Sequence, residues 1–84
     1  MPARLFVGNL SWSVDDGALH QAFSQYGNVV KAHVLKDRET GRSRGFGFVE
    51  FEQEADAENA INGLNEQDLN GRNIRVSHAK PQNH

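Results

Sequence analysis

Apolar residues along the chain follow two rhythms, one of two residues and one of three to four. Leu5 and Val7 alternate with Phe6 and Gly8, which predicts a strand over residues 4–10. Leu19, Ala22, Phe23 and Tyr26 then fall on one helical stripe, predicting a helix over residues 15–26. Asp15 suits its N-cap, Asp16 its electropositive first turn, and Gly27 the C′ position where helices commonly stop. Strands are predicted over residues 29–36 and 44–51, separated by a polar loop (residues 37–43) with Gly41 at its turn. Ala57, Ala60, Ile61 and Leu64 mark the inner face of a second helix over residues 54–64, for which Gln53 is a poor cap. Asn62-Gly63 and Asn70-Gly71 read as turns, and residues 73–77 as the last strand.

The resulting order is β-α-β-β-α-β. Right-handed crossovers place two such units side by side. The expected fold is therefore α+β and ferredoxin-like, a four-stranded antiparallel sheet with both helices on one face and the other face open. Residues 1–3 form an N-terminal extension, residues 4–80 the domain, and residues 81–84 a short polar tail expected to be flexible.

Strand side chains alternate faces, so one assignment determines the rest. In the third strand Arg44, Phe46, Phe48 and Glu50 share one face, and Gly45, Gly47, Val49 and Phe51 the other. Strand aromatics are commonly core residues. Here that choice would bury Arg44 and Glu50 with them, at a cost of about several kcal/mol each. The glycine-bearing face suits a helix lying close on the sheet, so Phe46 and Phe48 are expected to face water. The same parity sends Leu5, Val7, Val30, Ala32, Val34, Ile74 and Val76 inward. It leaves Arg4, Phe6, Lys31, His33, Leu35, Asn73, Arg75 and Ser77 on the open face.

Charge changes the picture less than its total suggests. The 84 residues carry a formal net charge of −2 and no cysteine, which leaves one small core without disulfides or thiolate metal sites. Arg4, Lys31, Arg44 and Arg75 nevertheless share the open face with Glu50 alone. Asp15, Asp16, Glu54, Asp56 and Glu58 fall in the helices. The molecule should have a basic aromatic front and an acidic back. Exposed rings beside cations suit unpaired nucleobases, whose π-faces stack while phosphates meet the cations. A duplex is a poor ligand for such a face, its bases being already stacked.

Residues 44–51, RGFGFVEF, resemble the octamer signature of the RNA recognition motif, and residues 5–10, LFVGNL, its hexamer partner. The chain is similar to that family from Arg4 to Lys80. The resemblance implies roles by position: Phe6 and Phe48 each stack a base, Phe46 packs against sugars, and Arg44 pairs with a phosphate. Ser77, His78 and Lys80 match positions that contact bases, and Arg42 lies in a loop that clamps the strand. Residues 36–51 and 71–76 further resemble the cold-inducible, glycine-rich RNA-binding proteins, which pair one such domain with a glycine-rich tail.

Other functions find less support. Enzymatic chemistry is not expected, because no nucleophile–base–orienter set, phosphate-binding glycine–lysine loop or metal-ligand spacing is present, and His20, His33, His78 and His84 are scattered. No cofactor and no membrane contact is expected. A protein-binding module is the second alternative, with the acidic helical face as its surface. Trp12, in the loop after the first strand, is either an exposed anchor for such a partner or, as is commoner, packed against its own loop or the first helix. The expected partner is single-stranded RNA, with single-stranded DNA left open, bound by a monomer inside the cell, whether nucleus, cytoplasm or organelle.

Overall fold

The computed structural model describes residues 2–79. Strand β1 (Ala3–Gly8) leads to helix α1 (Asp16–Ser24), strands β2 (Val29–Lys36) and β3 (Ser43–Phe51), and helix α2 (Glu54–Leu64). A short pair β4 (Asp68–Leu69) and β5 (Arg72–Asn73) precedes strand β6 (Arg75–His78). The main sheet has the order β2-β3-β1-β6, with every neighbouring pair antiparallel. This is the ferredoxin-like α+β arrangement, with β3 and β1 at its centre.

One face of the sheet is sealed. Leu5, Val7, Val34, Val49, Phe51 and Val76 pack with Leu19 and Phe23 of α1 and with Ala57 and Ala60 of α2. Phe23 and Phe51 meet with ring centroids 6.3 Å apart. Alanine occupies both fully buried positions of α2, and the longer Ile61 and Leu64 pack at the margin of the core, partly buried. At the start of α1, Asp15 Oδ1 accepts the Ala18 N–H at 2.8 Å, the expected cap. Gln53 makes no side-chain cap bond to α2, also as expected.

Several sequence readings need correction. Asn62 and Gly63 lie inside α2, not in a turn. A Cβ at 63 would sit 2.5 Å from Tyr26 Cζ, so the tip of the tyrosine ring crosses the helix at this point and occupies the space that glycine leaves. Gly27 is not at C′: α1 ends at Ser24 with Gln25 as its C-cap, and Gly27 follows two residues later. A Cβ at 27 would lie 2.6 Å from Asp56 Cβ, so this glycine admits α2 rather than ending α1. By contrast Asn70 (φ 53°) and Gly71 (φ 91°) do form a turn, the two-residue link between β4 and β5. That small hairpin splits the expected last strand, with the buried Ile74 between β5 and β6.

The inward assignment of Val30 is overturned. The β2–β3 register shifts between Val29 and Lys31, so Val29 is buried and Val30 is 51% exposed. One irregular residue moves the alternation by one step. The reason given for the glycines of β3 also changes. A Cβ at Gly47 would run into the His33 carbonyl oxygen and lie 3.0 Å from Val34 Cα. Gly47 thus admits the backbone of β2, not a helix. Gly45 is required by its φ of +86°.

Two phenylalanines of β3 test the sidedness of the sheet. Phe51→Ala should lower unfolding free energy by about 3–5 kcal/mol, as for a fully buried ring. Phe48→Ala should cost no more than about 1.5 kcal/mol, the scale of a surface aromatic pair. Urea denaturation measures both, and equal losses would place Phe48 in the core.

Candidate functional site

The pleat of β3 and β1 lifts Phe6, Phe46 and Phe48 onto the uncovered face, where each is partly exposed. Register then brings them together. Phe6 lies directly opposite Phe48 on β3 and opposite Ser77 on β6, and Phe48 lies opposite His33 on β2. One row across the sheet therefore reads His33, Phe48, Phe6, Ser77. The Phe6 and Phe48 centroids are 5.8 Å apart and nearly edge-to-face, with 69° between planes. Phe6 and Phe46 are 5.7 Å apart at 32°. A Cβ at Gly8 would sit 2.9 Å from the Phe6 ring, so glycine there lets the ring lie down along the sheet.

Cations border this cluster. Arg4 holds its guanidinium 4.4 Å from the centroid of Phe48, and Arg44 its own 5.5 Å from that of Phe46. Lys31 and Arg4 are both opposite Glu50 in register, yet neither forms an ion pair with it. Among the described residues the ion pairs are His33–Asp16 and His78–Glu58, so the arginines and lysines of the open face keep their charge available. A shallow pocket of about 100 Å³ beside Phe48 is lined by Arg4, Lys31, His33, Leu35 and Glu50.

The structure gathers most of the expected site residues and separates two. Arg4, Phe6, Lys31, Arg44, Phe46, Phe48, Arg75 and Ser77 share the open face, by strand alternation and burial pattern. Arg42 stands apart in the β2–β3 loop. His78 has the parity of the buried Val76, and its imidazole meets Glu58 of α2, away from the rings. Lys80 lies outside the described residues, as does the 81–84 segment.

Two features stand beyond the expected sheet-face site. Trp12 is 84% exposed, the less common of its two expected placements. The apolar seats of its loop are taken by Leu10 and Val14, each only 2% exposed. The second is Asp16, whose Oδ1 accepts the Val34 N–H at 2.7 Å while Oδ2 lies 3.4 Å from His33 Nδ1. The backbone hydrogen bond from Val34 is the main cause that holds the Asp16 carboxyl below its ordinary value; His33 and Lys36 add to it and partial burial opposes it.

A β-α-β-β-α-β sheet with three clustered rings and cations free of ion pairs on its bare face has the form of a binding surface for a flat, negatively charged ligand. Comparison places it further. The RNA recognition motif profile matches residues 5–75, and the chain belongs to that family. It is 57% identical over 77 residues to the glycine-rich RNA-binding protein GRP1A of Sinapis alba, covering 92% of this chain and 46% of that protein. It is 58% identical over 79 residues to glycine-rich RNA-binding protein 1 of Mycosarcoma maydis, covering 94% and 45%. The chain thus spans about half the length of these curated relatives. Among solved structures, the RNA-binding protein PG1 superimposes with a TM-score of 0.91 at 46% identity, over 98% of this chain and 99% of that one. The second RRM domain of the yeast poly(U)-binding protein Pub1 gives 0.87 at 44%, with the same two coverages.

Asp16 makes acid stability testable. Its folded pKa is depressed, so its contribution is complete above the unfolded carboxyl value of about 3.9 and is lost as pH falls through the folded value. Asp16→Asn keeps an acceptor for Val34 but removes the charge. It should flatten the fall in melting temperature below about pH 4. A profile parallel to the wild type would show that the carboxylate charge contributes nothing.

Proposed function

We propose that this domain binds single-stranded RNA across its open sheet face. The observation that carries the reading is the contact cluster of Phe6, Phe46 and Phe48, bordered by Arg4, Lys31, Arg44 and Arg75, which are free of ion pairs among the described residues. In this reading Phe6 and Phe48 each stack a base and Phe46 packs on the sugars between them. Arg44, Arg4, Lys31 and Arg75 neutralise phosphates, Ser77 meets a base edge at the exit of β6, Lys80 is assigned a base contact by its position in the family pattern, and Arg42 closes on the strand from the β2–β3 loop. His78 joins them only by releasing Glu58.

The membership of this family and the names of its glycine-rich relatives support RNA as the ligand. Stacking alone accepts single-stranded DNA as well, and contacts to the 2′-hydroxyl decide between them. We assign the domain to RNA handling such as processing, stability or stress response, acting as a monomer inside the cell. The relatives include a mitochondrial and a chloroplastic protein, so an organelle is among the candidate compartments. No described helix is long and apolar enough to cross a membrane. The acid-rich helices offer a separate surface for a protein partner.

Two stacked bases with a few phosphate contacts, less the cost of ordering the strand, give a Kd on the order of micromolar. Phe48→Ala should weaken binding of a labelled random-sequence RNA by about 1–3 kcal/mol in fluorescence anisotropy, with the fold retained. Equal affinity for both proteins would refute the platform. Arg44→Ala should reduce the slope of log K against log salt by about 0.7, the share of one phosphate on a single strand. An unchanged slope would remove Arg44 from the phosphate contacts.

A further inference from the structure

We infer that Trp12 is an additional base-stacking position, and that bound RNA runs off the end of the sheet into the cleft beside it. The inference rests on the single-stranded RNA reading above and extends it to a surface that the sheet aromatics do not reach.

Trp12 is 84% exposed, although the backbone carrying it is well anchored. Leu10 and Val14 are buried on either side of it. The Leu10 N–H donates to the Gly45 carbonyl at 2.8 Å, and the Val14 N–H to that of Ser11 at 3.0 Å. Ser11 and Ser13 join their hydroxyls at 2.9 Å. A fixed loop thus presents a free indole, so little ordering is required when a flat ligand arrives.

The indole borders a cleft of about 610 Å³ between the β1–α1 and β2–β3 loops, lined also by Val14, Asp15, Lys36, Arg42 and Ser43. That volume is within the range of small-ligand sites. Its charge favours an anion. Lys36 and Arg42 outnumber the one acid of the lining, Asp15, which caps α1; Asp16, on which Lys36 also acts, is turned to the Val34 N–H and His33. The far wall is held in shape: Asp37 Oδ1 accepts the Glu39 and Thr40 N–H groups, and Gly41 turns with φ +73°. An aromatic ring with two cations suits a nucleotide better than an acidic or apolar peptide segment.

Position links this cleft to the platform. Ser43 lines it, and the next residue, Arg44, reaches over Phe46. At about 3.3 Å per residue, Ser43 and Phe46 are about 10 Å apart along β3, a gap that a short run of one polynucleotide crosses. The Leu10–Gly45 hydrogen bond ties the Trp12 loop to the same end of β3. A base on Trp12 and bases on Phe6 and Phe48 can then belong to one strand.

Trp12 is the single tryptophan of the chain, so its emission reports its own surroundings. Titration with a random-sequence RNA of nine nucleotides should quench that emission at the same midpoint as the anisotropy of the labelled RNA. Trp12→Ala should weaken binding of the nine-mer about tenfold with an unchanged melting curve, and Trp12→Phe should recover most of the loss. If the RNA binds in a Phe48-dependent way while Trp12 emission stays constant, or if Trp12→Ala binds within twofold of wild type, the inference fails and the sheet-face reading stands. If the wild type binds no RNA, both fall.

Discussion

The two-residue alternation of β3 from Phe46 to Phe51 is the constraint on which the molecule depends. The strand lies between β2 and β1, and its two sides do incompatible work. Val49 and Phe51 are fully buried under the helices, while Phe46 and Phe48 emerge on the opposite side. A slip of one residue would place Arg44 and Glu50 in the core and the large rings of the core in water. Burial of Phe51 and exposure of Phe48 are thus one fact, and the stability of the domain holds its binding surface in register.

Charge is arranged on the same principle. A formal net charge of −2 argues against a polyanionic ligand only if charge is averaged over the molecule. The sheet separates it instead. Arginines lie over the rings at 4.4 and 5.5 Å, and the first turns of both helices carry acids, Asp16 in α1 and Glu54 and Asp56 in α2. Those acids are favoured at the electropositive helix ends, and Asp16 alone meets the row across the platform, through His33 at its β2 end. Local potential, not total charge, governs which ligand approaches each face.

Much of this was legible in the sequence, and what was not has a physical cause. Alternation placed Phe6 and Phe48 correctly because β1 and β3 pair regularly from Ala3–Phe51 to Val7–Gly47, and Phe46 keeps that parity next to the irregularity at Gly45. It failed at Val30, where an irregularity in β2 reverses the parity, since such a shift leaves no mark in composition. Gly27, Gly47 and Gly63 were visible as glycines, but their partners, Asp56, the β2 backbone and Tyr26, come from distant parts of the chain. Turn chemistry recognised Asn70-Gly71 and misjudged Asn62-Gly63, a local signal overridden by helix packing. Trp12 was left between two placements with packing favoured on average tryptophan burial, whereas the neighbouring Leu10 and Val14 already fill the loop's apolar space. His78 was assigned by position, and only the packing of α2 on the sheet brings Glu58 beside it.

The carboxylate of Asp16 has one more consequence. β2 is the outermost strand on its side of the sheet, and its unpaired backbone groups are a template on which another chain could add a strand. Asp16 occupies the Val34 N–H on that rim. An incoming strand must first evict a charged acceptor and find a new environment for it. A protein that displays three phenylalanines to solvent carries an inherent tendency to self-associate, and this single side chain closes one of the routes by which such a sheet could grow into a fibre.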